Sequence, residues 1–407
     1  MFMFLGLYVL TVLAACVSSA RAAEPRFTSQ TIDDAIRIGY GVVVGEVDGD
    51  GRPDILLADA RQIVWYRNPG ERGKPWTKHI MAENLTPRDN VCIAARDLDG
   101  DGKVEVAVGA NWNPGETSDR EKSGSVHVLL RPDDPTQKWD VITLEHDPTV
   151  HRMRFARVGE NGAFQLCVLP LHGVGNRNGE GESVKLLLYD VPEGDATRDA
   201  AAWKLTRVDT GLHLTHNFDV GQARRDDVSL EVLLIGGREN GVLYSAQLDD
   251  VRPMHLPDFS GAGEVRFGRL TFPMFATIEP MHGHQVVAYI QGRTVTHLEG
   301  GRFRVGVGRQ VLDETLHQGH GIASTDLLAL GHDQIVAGWR NPNAEGKVGI
   351  RLYVPHDDTG RTWTTYTLTN DIACEDLTVA DLDGDGKPEI IAAGRATRNV
   401  MVLWNDN

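Results

Sequence analysis

Short apolar runs alternate with acidic, glycine-rich turns along most of the chain. Three of the turns share a six-residue motif, in which an acidic residue and one variable residue precede Asp-Gly-Asp-Gly. An apolar run lies on each side of the motif. These turns lie at 46–51, 97–102 and 381–386. Two apolar runs joined by a tight turn are typical of a β-hairpin. Weaker copies of the hairpin occur near Phe155, Asp226, Gly268 and Asp326.

A second repeated feature is a tryptophan that opens an alternating strand after the hairpin. It occurs at Trp76, Trp139, Trp203 and Trp363. Hairpin and alternating strands recur with a period of roughly 50 to 65 residues, the spacing of a four-stranded propeller blade. Seven copies predict an all-β fold, a seven-bladed β-propeller over residues 23–407, with almost no helix.

The two ends of the chain complement each other. Residues 26–32 resemble the alternating strand, with Phe27 in place of the tryptophan, but they precede the first hairpin. The last repeat ends at 400–404, one strand short of a blade. We therefore expect the N-terminal strand to complete the last blade, which removes the free sheet edges.

Net charge and cysteine count limit the classes of protein to which the chain can belong. The chain has 407 residues and a formal net charge of -16. A nucleic-acid-binding protein needs a basic face, so that class is excluded. Besides Cys16, three cysteines remain, Cys92, Cys167 and Cys374. An odd number gives no disulfide framework, and we expect them to be small buried side chains.

Residues 1–22 are typical of a signal peptide. An apolar run is followed by small residues, and Ala20-Arg21-Ala22 fits a signal-peptidase site. The run is too short for a membrane span. We expect a secreted or periplasmic protein. Alternatively, residues 13–16 resemble a lipoprotein box, in which Cys16 would carry a lipid anchor.

The acidic turns suggest bound calcium. Carboxylates at alternate positions of a tight turn suit Ca²⁺, and a later acid can complete the shell. The alternative is an Asx turn without metal. The predicted ligands of structural Ca²⁺ are Asp48, Asp50, Asp54, Asp97, Asp99, Asp101, Glu105, Asp381, Asp383, Asp385 and Glu389. This pattern resembles the FG-GAP/VCBS repeats of secreted propellers.

A second constellation appears when the turns are aligned. Six residues before the first acid, or its equivalent, the aligned residues are Tyr40, His151, His216, His320 and Glu375. This position begins the innermost strand, so these side chains should converge on one mouth of the channel. Residues at the end of the second strand return to the same face. They include His172, His282, His284, Arg340 and Arg395.

Converging imidazoles suit a divalent transition metal. We expect His151, His216 and His320 to bind Zn²⁺, Mn²⁺ or Mg²⁺. The alternative is a water-filled channel with polar walls.

Five segments resemble the propeller of the aldos-2-ulose dehydratase family. They are residues 149–152, 214–218, 278–285, 337–340 and 373–377. The resemblance implies a metal-dependent carbon–oxygen lyase acting on a ketosugar or an oxidised glycoside. It suggests acid–base roles for Glu375, His284, His282 and His172. It suggests substrate contacts for Arg340, Arg395, Trp339 and Tyr40.

Two other functions fit the same residues. One is a calcium-stabilised propeller that binds carbohydrate or protein without catalysis, and the other is a hydrolase using the same pocket. Except in the protein-binding alternative, we expect the ligand to be a small sugar or oligosaccharide. We expect the protein to be a monomer or a small homo-oligomer.

Overall fold

A computed structural model describes residues 24–159, 162–225, 228–246, 250–254, 256, 258–297 and 303–407. The proposed signal peptide and Cys16 lie outside these residues. The described residues form seven four-stranded antiparallel sheets. The all-β, seven-bladed propeller predicted from the repeats is therefore confirmed. Two short 3-10 helices, Gly194–Arg198 and Ala200–Ala202, lie in the third blade.

The strands follow the blades in chain order. Blade 1 contains β2 (Gly39–Gly45), β3 (Asp54–Asp59), β4 (Gln62–Arg67) and β5 (Thr77–Glu83). Blade 2 contains β6 (Cys92–Arg96), β7 (Glu105–Gly109), β8 (Val126–Leu130) and β9 (Asp140–Leu144). Blade 3 contains β10 (Val150–Ala156), β11 (Gln165–Pro170), β12 (Lys185–Asp190) and β13 (Leu205–Asp209). Blade 4 contains β14 (Thr215–Arg225), β15 (Val228–Gly237), β16 (Gly241–Ser245) and β17 (Asp250–Met254).

The remaining blades keep this order until the last. Blade 5 contains β18 (Glu264–Arg269), β19 (Pro273–Glu279), β20 (Gln285–His297) and β21 (Phe303–Asp313). Blade 6 contains β22 (Gly319–Thr325), β23 (Gln334–Trp339), β24 (Gly349–Pro355) and β25 (Trp363–Thr369). Blade 7 contains β26 (Cys374–Ala380), β27 (Glu389–Gly394), β28 (Val400–Asn405) and the N-terminal β1 (Phe27–Asp33).

The last blade is closed by the N-terminal strand, as the sequence predicts. Strand β1 pairs antiparallel with β28, and Phe27 lies opposite Asn405. The indole N–H of Trp404 donates to Gln30 across this pair at 2.8 Å. Since β1 is joined directly to blade 1, this pairing fixes blades 1 and 7 side by side.

The innermost strands line the central channel. Each first strand contacts the first strand of the next blade, from β2 through β26 and back to β2. Close contact is possible because small residues lie at the seam: a Cβ on Gly39 would approach the Ala393 Cβ to within 2.4 Å.

The core lies between the blades. One cluster joins Leu57 and Tyr66 of blade 1 to Ile391 and Trp404 of blade 7. Complete burial of one such apolar side chain stabilises the fold by about 1.5–3 kcal/mol. The cysteines Cys92, Cys167 and Cys374 are free and buried, as predicted. No helix in the described part of the chain is long and apolar enough to cross a membrane.

A buried histidine in blade 2 gives the fold a sensitivity to acid. His127 on β8 is 5% exposed, and its two ring nitrogens contact the hydroxyls of Thr143 and Ser125. Burial, with His146 as a smaller cause, lowers the pKa of His127 to about 4. The unfolded chain binds a proton there near its ordinary pKa of about 6.5. Acid therefore favours the unfolded state between these two pH values.

We expect the free energy of unfolding to fall by about 3 kcal/mol from this residue alone as pH drops from 6.5 to 4. His127→Gln cannot titrate and should lose that part of the pH dependence. Urea unfolding at pH 7 and pH 4.5 measures it. The exposed His356→Gln serves as control. Equal pH dependence in His127→Gln and the wild type would contradict the assignment.

Candidate metal site at the channel mouth

The residues that the turn alignment places at the channel mouth lie on β-bulges at the start of the first strands. The pairing register shifts beside Tyr40, His151, His216, His320 and Glu375. Such a bulge leaves a residue unpaired and re-aims its side chain. Five blades therefore present a polar side chain at the same mouth, as the turn alignment predicts.

Each of the three strand histidines is held by the backbone of the following blade. His151 Nδ1 donates to the His216 carbonyl at 2.7 Å, and His216 Nδ1 donates to the Gly263 carbonyl at 2.8 Å. His320 Nδ1 donates to the Glu375 carbonyl. These bonds place the proton on Nδ1 and make Nε2 the acceptor nitrogen of each ring. This is the arrangement usual in metal-binding histidines.

A fourth histidine comes from the loop between β19 and β20. His282 has a φ of 52°, and its Nε2 lies 2.6 Å from Nε2 of His216. Its ring stacks on His320 with centroids 5.0 Å apart. Ligand nitrogens of His216, His282 and His320 all lie within 4.8 Å of one another. We call these three residues the histidine cluster.

The histidine cluster is neutral near pH 7. Burial lowers the pKa of His216 and of His320 well below its ordinary value, and nearby arginine charge adds to the effect. Burial, followed by His216, lowers the pKa of His282 to about 2. Neutral imidazoles are the form that binds a metal, and three nitrogen donors suit an open catalytic site.

The cluster differs from the predicted set by one residue. His151 was predicted as a ligand and His282 as an acid–base group. His151 Nε2 instead lies 3.2 Å from Arg152 Nη1, which donates to it. Its lone pair is therefore already used, and His282 occupies the third position. Arg152 was missed although it directly follows His151.

A buried carboxylate lies beside His216. Glu264 of β18 is fully buried, and its Oε1 lies 3.2 Å from His216 Nδ1. The Asn217 amide donates to the other oxygen at 2.6 Å. The Nδ1 proton of His216 goes to the Gly263 carbonyl, so Glu264 Oε1 lies beside the ring without a hydrogen bond to it. The sequence analysis did not select Glu264 because its blade lacks the histidine of the repeat.

Next to the histidine cluster lies an ion-pair network around Glu375. Arg340 Nη1 lies 2.9 Å from both Glu375 oxygens, and Arg395 Nη1 donates to Oε1 at 2.8 Å. The guanidinium of Arg395 covers the ring of Tyr40 at 5.5 Å. The Tyr40 hydroxyl donates to Asp89 at 3.1 Å. Burial, followed by Asp89, raises the pKa of Tyr40 to about 12, so the hydroxyl stays protonated at neutral pH.

Two predicted site residues lie elsewhere. Trp339 is fully buried in an apolar cluster, and its indole N–H donates to the Lys347 carbonyl at 2.8 Å. The prediction that it contacts a substrate is wrong, since alternation along β23 directs it into the core. His284 is exposed at the β19–β20 loop, away from the buried cluster.

His172 follows β11 and is half-buried. Its backbone N–H donates to the Thr149 hydroxyl at 3.1 Å, while its Nδ1 is buried without a partner. It lies two residues beyond Pro170, the last residue of β11.

The acidic turns lie at the other end of the first strands. Three acid triplets bring carboxylate oxygens within 4.8 Å of one another. They are Glu46, Asp48 and Asp50; Asp97, Asp99 and Asp101; and Asp381, Asp383 and Asp385. In the second turn, Asp97 accepts the amides of Gly100 and Gly102 at 2.7 and 3.0 Å. In the first turn Glu46, which was not among the predicted ligands, has this role.

The later acids serve the hairpin itself. Asp54 accepts the Val47 and Asn68 amides at 3.0 and 2.9 Å, and Glu105 and Glu389 accept the amides of Leu98 and Leu382. Burial raises the pKa of each of these three carboxyls to about 7.

An arginine also approaches each turn. Arg67 lies 2.7 Å from Asp48, Arg131 lies 3.1 Å from Asp101, and Arg72 lies 3.2 Å from Asp385. These cations offset part of the acidic charge of the turns.

Known proteins share these repeats. A model of the FG-GAP-like repeat matches residues 47–108, and a model of the FG-GAP repeat matches residues 93–129. Residues 47–129 therefore carry FG-GAP repeats. Integrin alpha-PS2 of Drosophila melanogaster is 27% identical over 180 residues, which cover 41% of this chain and 12% of that protein. The match thus spans a small part of the integrin.

Solved structures show the same fold at low identity. The crystal structure of BBS1N in complex with ARL6DN, soaked with lead, aligns with this chain with a TM-score of 0.54 and 11% sequence identity. The alignment covers 94% of this chain and 97% of that chain. Crystals of the same complex soaked with mercury give a TM-score of 0.52 at 12% identity, covering 93% and 96%.

The geometry predicts which substitutions abolish metal binding. Protein dialysed against Zn²⁺ should retain about one ion per chain at the three nitrogen donors. His282→Ala should lose it, whereas His151→Gln should retain it because Arg152 already occupies that nitrogen. Metal analysis after gel filtration measures both, with the exposed His317→Gln as control. Equal zinc content in His282→Ala and the wild type would show that the histidine cluster is not the site.

Proposed function

We propose that this FG-GAP propeller is a metal-dependent carbon–oxygen lyase that acts on a ketosugar or an oxidised glycoside at the channel mouth. The observation that carries the proposal is the convergence of His216, His282 and His320, with Nδ1 of His216 and of His320 bound to a backbone carbonyl. The cluster would hold a divalent transition metal, which supplies polarisation of a substrate carbonyl. A secreted or periplasmic location belongs to the same proposal.

The ion-pair network supplies groups for elimination. Glu375 is 2% exposed and is fixed beside the histidine cluster through its carbonyl bond to His320. In the proposed reaction, its carboxylate takes a proton from the carbon next to the substrate carbonyl. The carbon–oxygen bond at the following carbon then breaks as a carbon–carbon double bond forms.

The leaving oxygen needs a proton. Tyr40 can supply it, since burial keeps its hydroxyl protonated and Arg395 links its ring to Glu375. The product is water if the leaving oxygen is a hydroxyl, and an alcohol if it is glycosidic. Arg340 and Arg395 keep N–H groups that can hold substrate oxygens once the substrate enters.

Elimination creates an enone, which absorbs ultraviolet light, whereas hydrolysis does not. We expect zinc- or manganese-loaded protein to convert glucosone or 1,5-anhydrofructose to such a product. Glu375→Gln and Tyr40→Phe should each lower the rate by about 100-fold or more. The exposed Glu314→Gln is the matched control and should retain the rate.

Circular dichroism and cooperative unfolding verify that each variant is folded. Absence of an enone from the metal-loaded wild type with both sugars, or equal rates in Glu375→Gln and Glu314→Gln, would overturn the lyase proposal.

A second candidate is a propeller that binds a carbohydrate or a protein without turnover. The protein-binding form is supported by the aligned BBS1N structure, which is a complex with ARL6DN. In that case the acidic turns, which we propose bind structural Ca²⁺, stabilise the binding surface.

Calcium binding makes stability depend on the ion. Calcium at 100 times its dissociation constant should raise the free energy of unfolding by about 2.7 kcal/mol per site. Replacing Asp99 and Asp101 by Asn should remove one site's share of the rise in melting temperature. Asp326→Asn, in a turn with a single acid of the motif, is the control. Equal melting temperatures with calcium and with EGTA would contradict calcium binding.

A further inference from the structure

Below the histidine cluster, the first strands line a cavity of about 240 Å³. Its charged lining consists of Arg152, Arg154, Arg266, Asp219 and Asp376. The two arginines of β10 are two residues apart, so strand alternation directs both to the channel. Arginines of blades 3 and 5 thus meet in one cavity.

The guanidinium groups have few partners. Arg152 is 4% exposed, and its Nε and Nη2 are buried without a hydrogen-bond partner. The nearest carboxylate oxygen, Glu264 Oε1, lies 4.0 Å away. Arg154 donates to the Met153 carbonyl. Arg266 donates to the Val265 carbonyl and lies 3.8 Å from Glu264 Oε2. Two arginines thus share the single carboxylate of Glu264. Buried cations that outnumber their close counter-charges are costly, so this arrangement requires compensation.

The carboxylates in the cavity do not supply it. Asp219 and Asp376 each accept one backbone amide, from Phe267 and Val42, at 2.9 Å. Across the described part of the chain, no ion pair within 4.0 Å joins either aspartate to an arginine of the cavity. Burial lowers the pKa of Arg154, and the like charge of Arg266 adds to the effect.

The two ends of the cavity have different linings. Val43, Ser324, Thr378 and Val379 lie at the end that carries the acidic turns and are half-buried. At the other end the lining includes Tyr40 and Arg152, and Arg152 donates to His151 Nε2.

We propose that this cavity binds a small oxyanion, whose oxygens accept hydrogen bonds from Arg152, Arg154 and Arg266. Guanidinium forks match the oxygens of carboxylate and phosphate groups. A volume of about 240 Å³ accommodates such a group with several waters, each of which occupies about 30 Å³. The group belongs either to free phosphate or to the carboxylate of a sugar acid. This site does not depend on the proposed lyase activity.

Titration calorimetry at constant ionic strength tests the site with inorganic phosphate and with glucuronate, and glucose is the neutral control. The wild type should bind at least one of the two anions saturably, one per chain. Arg154→Met and Arg266→Met should each weaken binding by about tenfold or more. The exposed Arg88→Met removes the same charge outside the cavity and should have no effect. Because Arg154→Met retains all histidines, its effect separates this site from binding at the mouth.

A substitution that removes a negative charge, and is expected to tighten anion binding, completes the test. Asp219→Asn removes a negative charge from the cavity and retains an acceptor for the Phe267 amide, so anion binding should become tighter. Tighter binding of phosphate identifies free phosphate as the ligand, and tighter binding of glucuronate identifies a sugar acid. The proposal is overturned if neither anion binds saturably, if Arg154→Met binds as tightly as Arg88→Met, or if Asp219→Asn weakens binding.

Discussion

The hydrogen bond from a bulge histidine to the backbone of the next blade is the interaction on which the channel mouth depends. His151, His216 and His320 each make it, and it crosses from one blade to the following one every time. A buried imidazole must satisfy two nitrogens with opposite needs. The backbone carbonyl takes the Nδ1 proton, and Nε2 is left as an acceptor. The blades therefore determine both the direction and the protonation of these rings.

The same dependence makes ring closure part of the candidate site. Tyr40 lies on the first blade, whereas Glu375 and Arg395 lie on the last. The Arg395 guanidinium covers the Tyr40 ring, and Asp376 accepts the Val42 amide across this seam. The pairing of β1 with β28 and the apolar cluster between the two blades keep them adjacent. A strand far from the channel thus positions groups that we propose act together.

The fold could be predicted because its determinants repeat. Each hairpin repeats the same turn, and alignment of the turns alone located Tyr40, His151, His216, His320 and Glu375. One prediction that failed concerned a single side chain. Trp339 precedes Arg340 by one residue, and strand alternation sends it to the opposite side, into the core. A prediction based on a segment rather than on alternation cannot separate such neighbours.

The position of His282 in the histidine cluster could not be predicted from the sequence, for a different reason. It lies in a loop, and a residue with φ of 52° carries no pattern that shows where its ring points. His282 and His284 look equivalent in the sequence, yet one is in the buried cluster and the other is exposed. Strand positions follow a period of two, so they can be inferred by alignment. Loop positions follow no period, so their contacts depend on the folded neighbours.

Arg152 links the two parts of the channel. Its Nη1 satisfies His151 Nε2, which removes that nitrogen from the metal-binding set. Its remaining buried N–H groups have no partner and border the cavity below. Burial of this guanidinium opposes folding, because two of its nitrogens have no hydrogen-bond partner and the nearest carboxylate oxygen, Glu264 Oε1, lies 4.0 Å away. One side chain therefore separates a neutral nitrogen site at the mouth from a cationic site beneath it, and its burial is best explained if the lower site binds an anion.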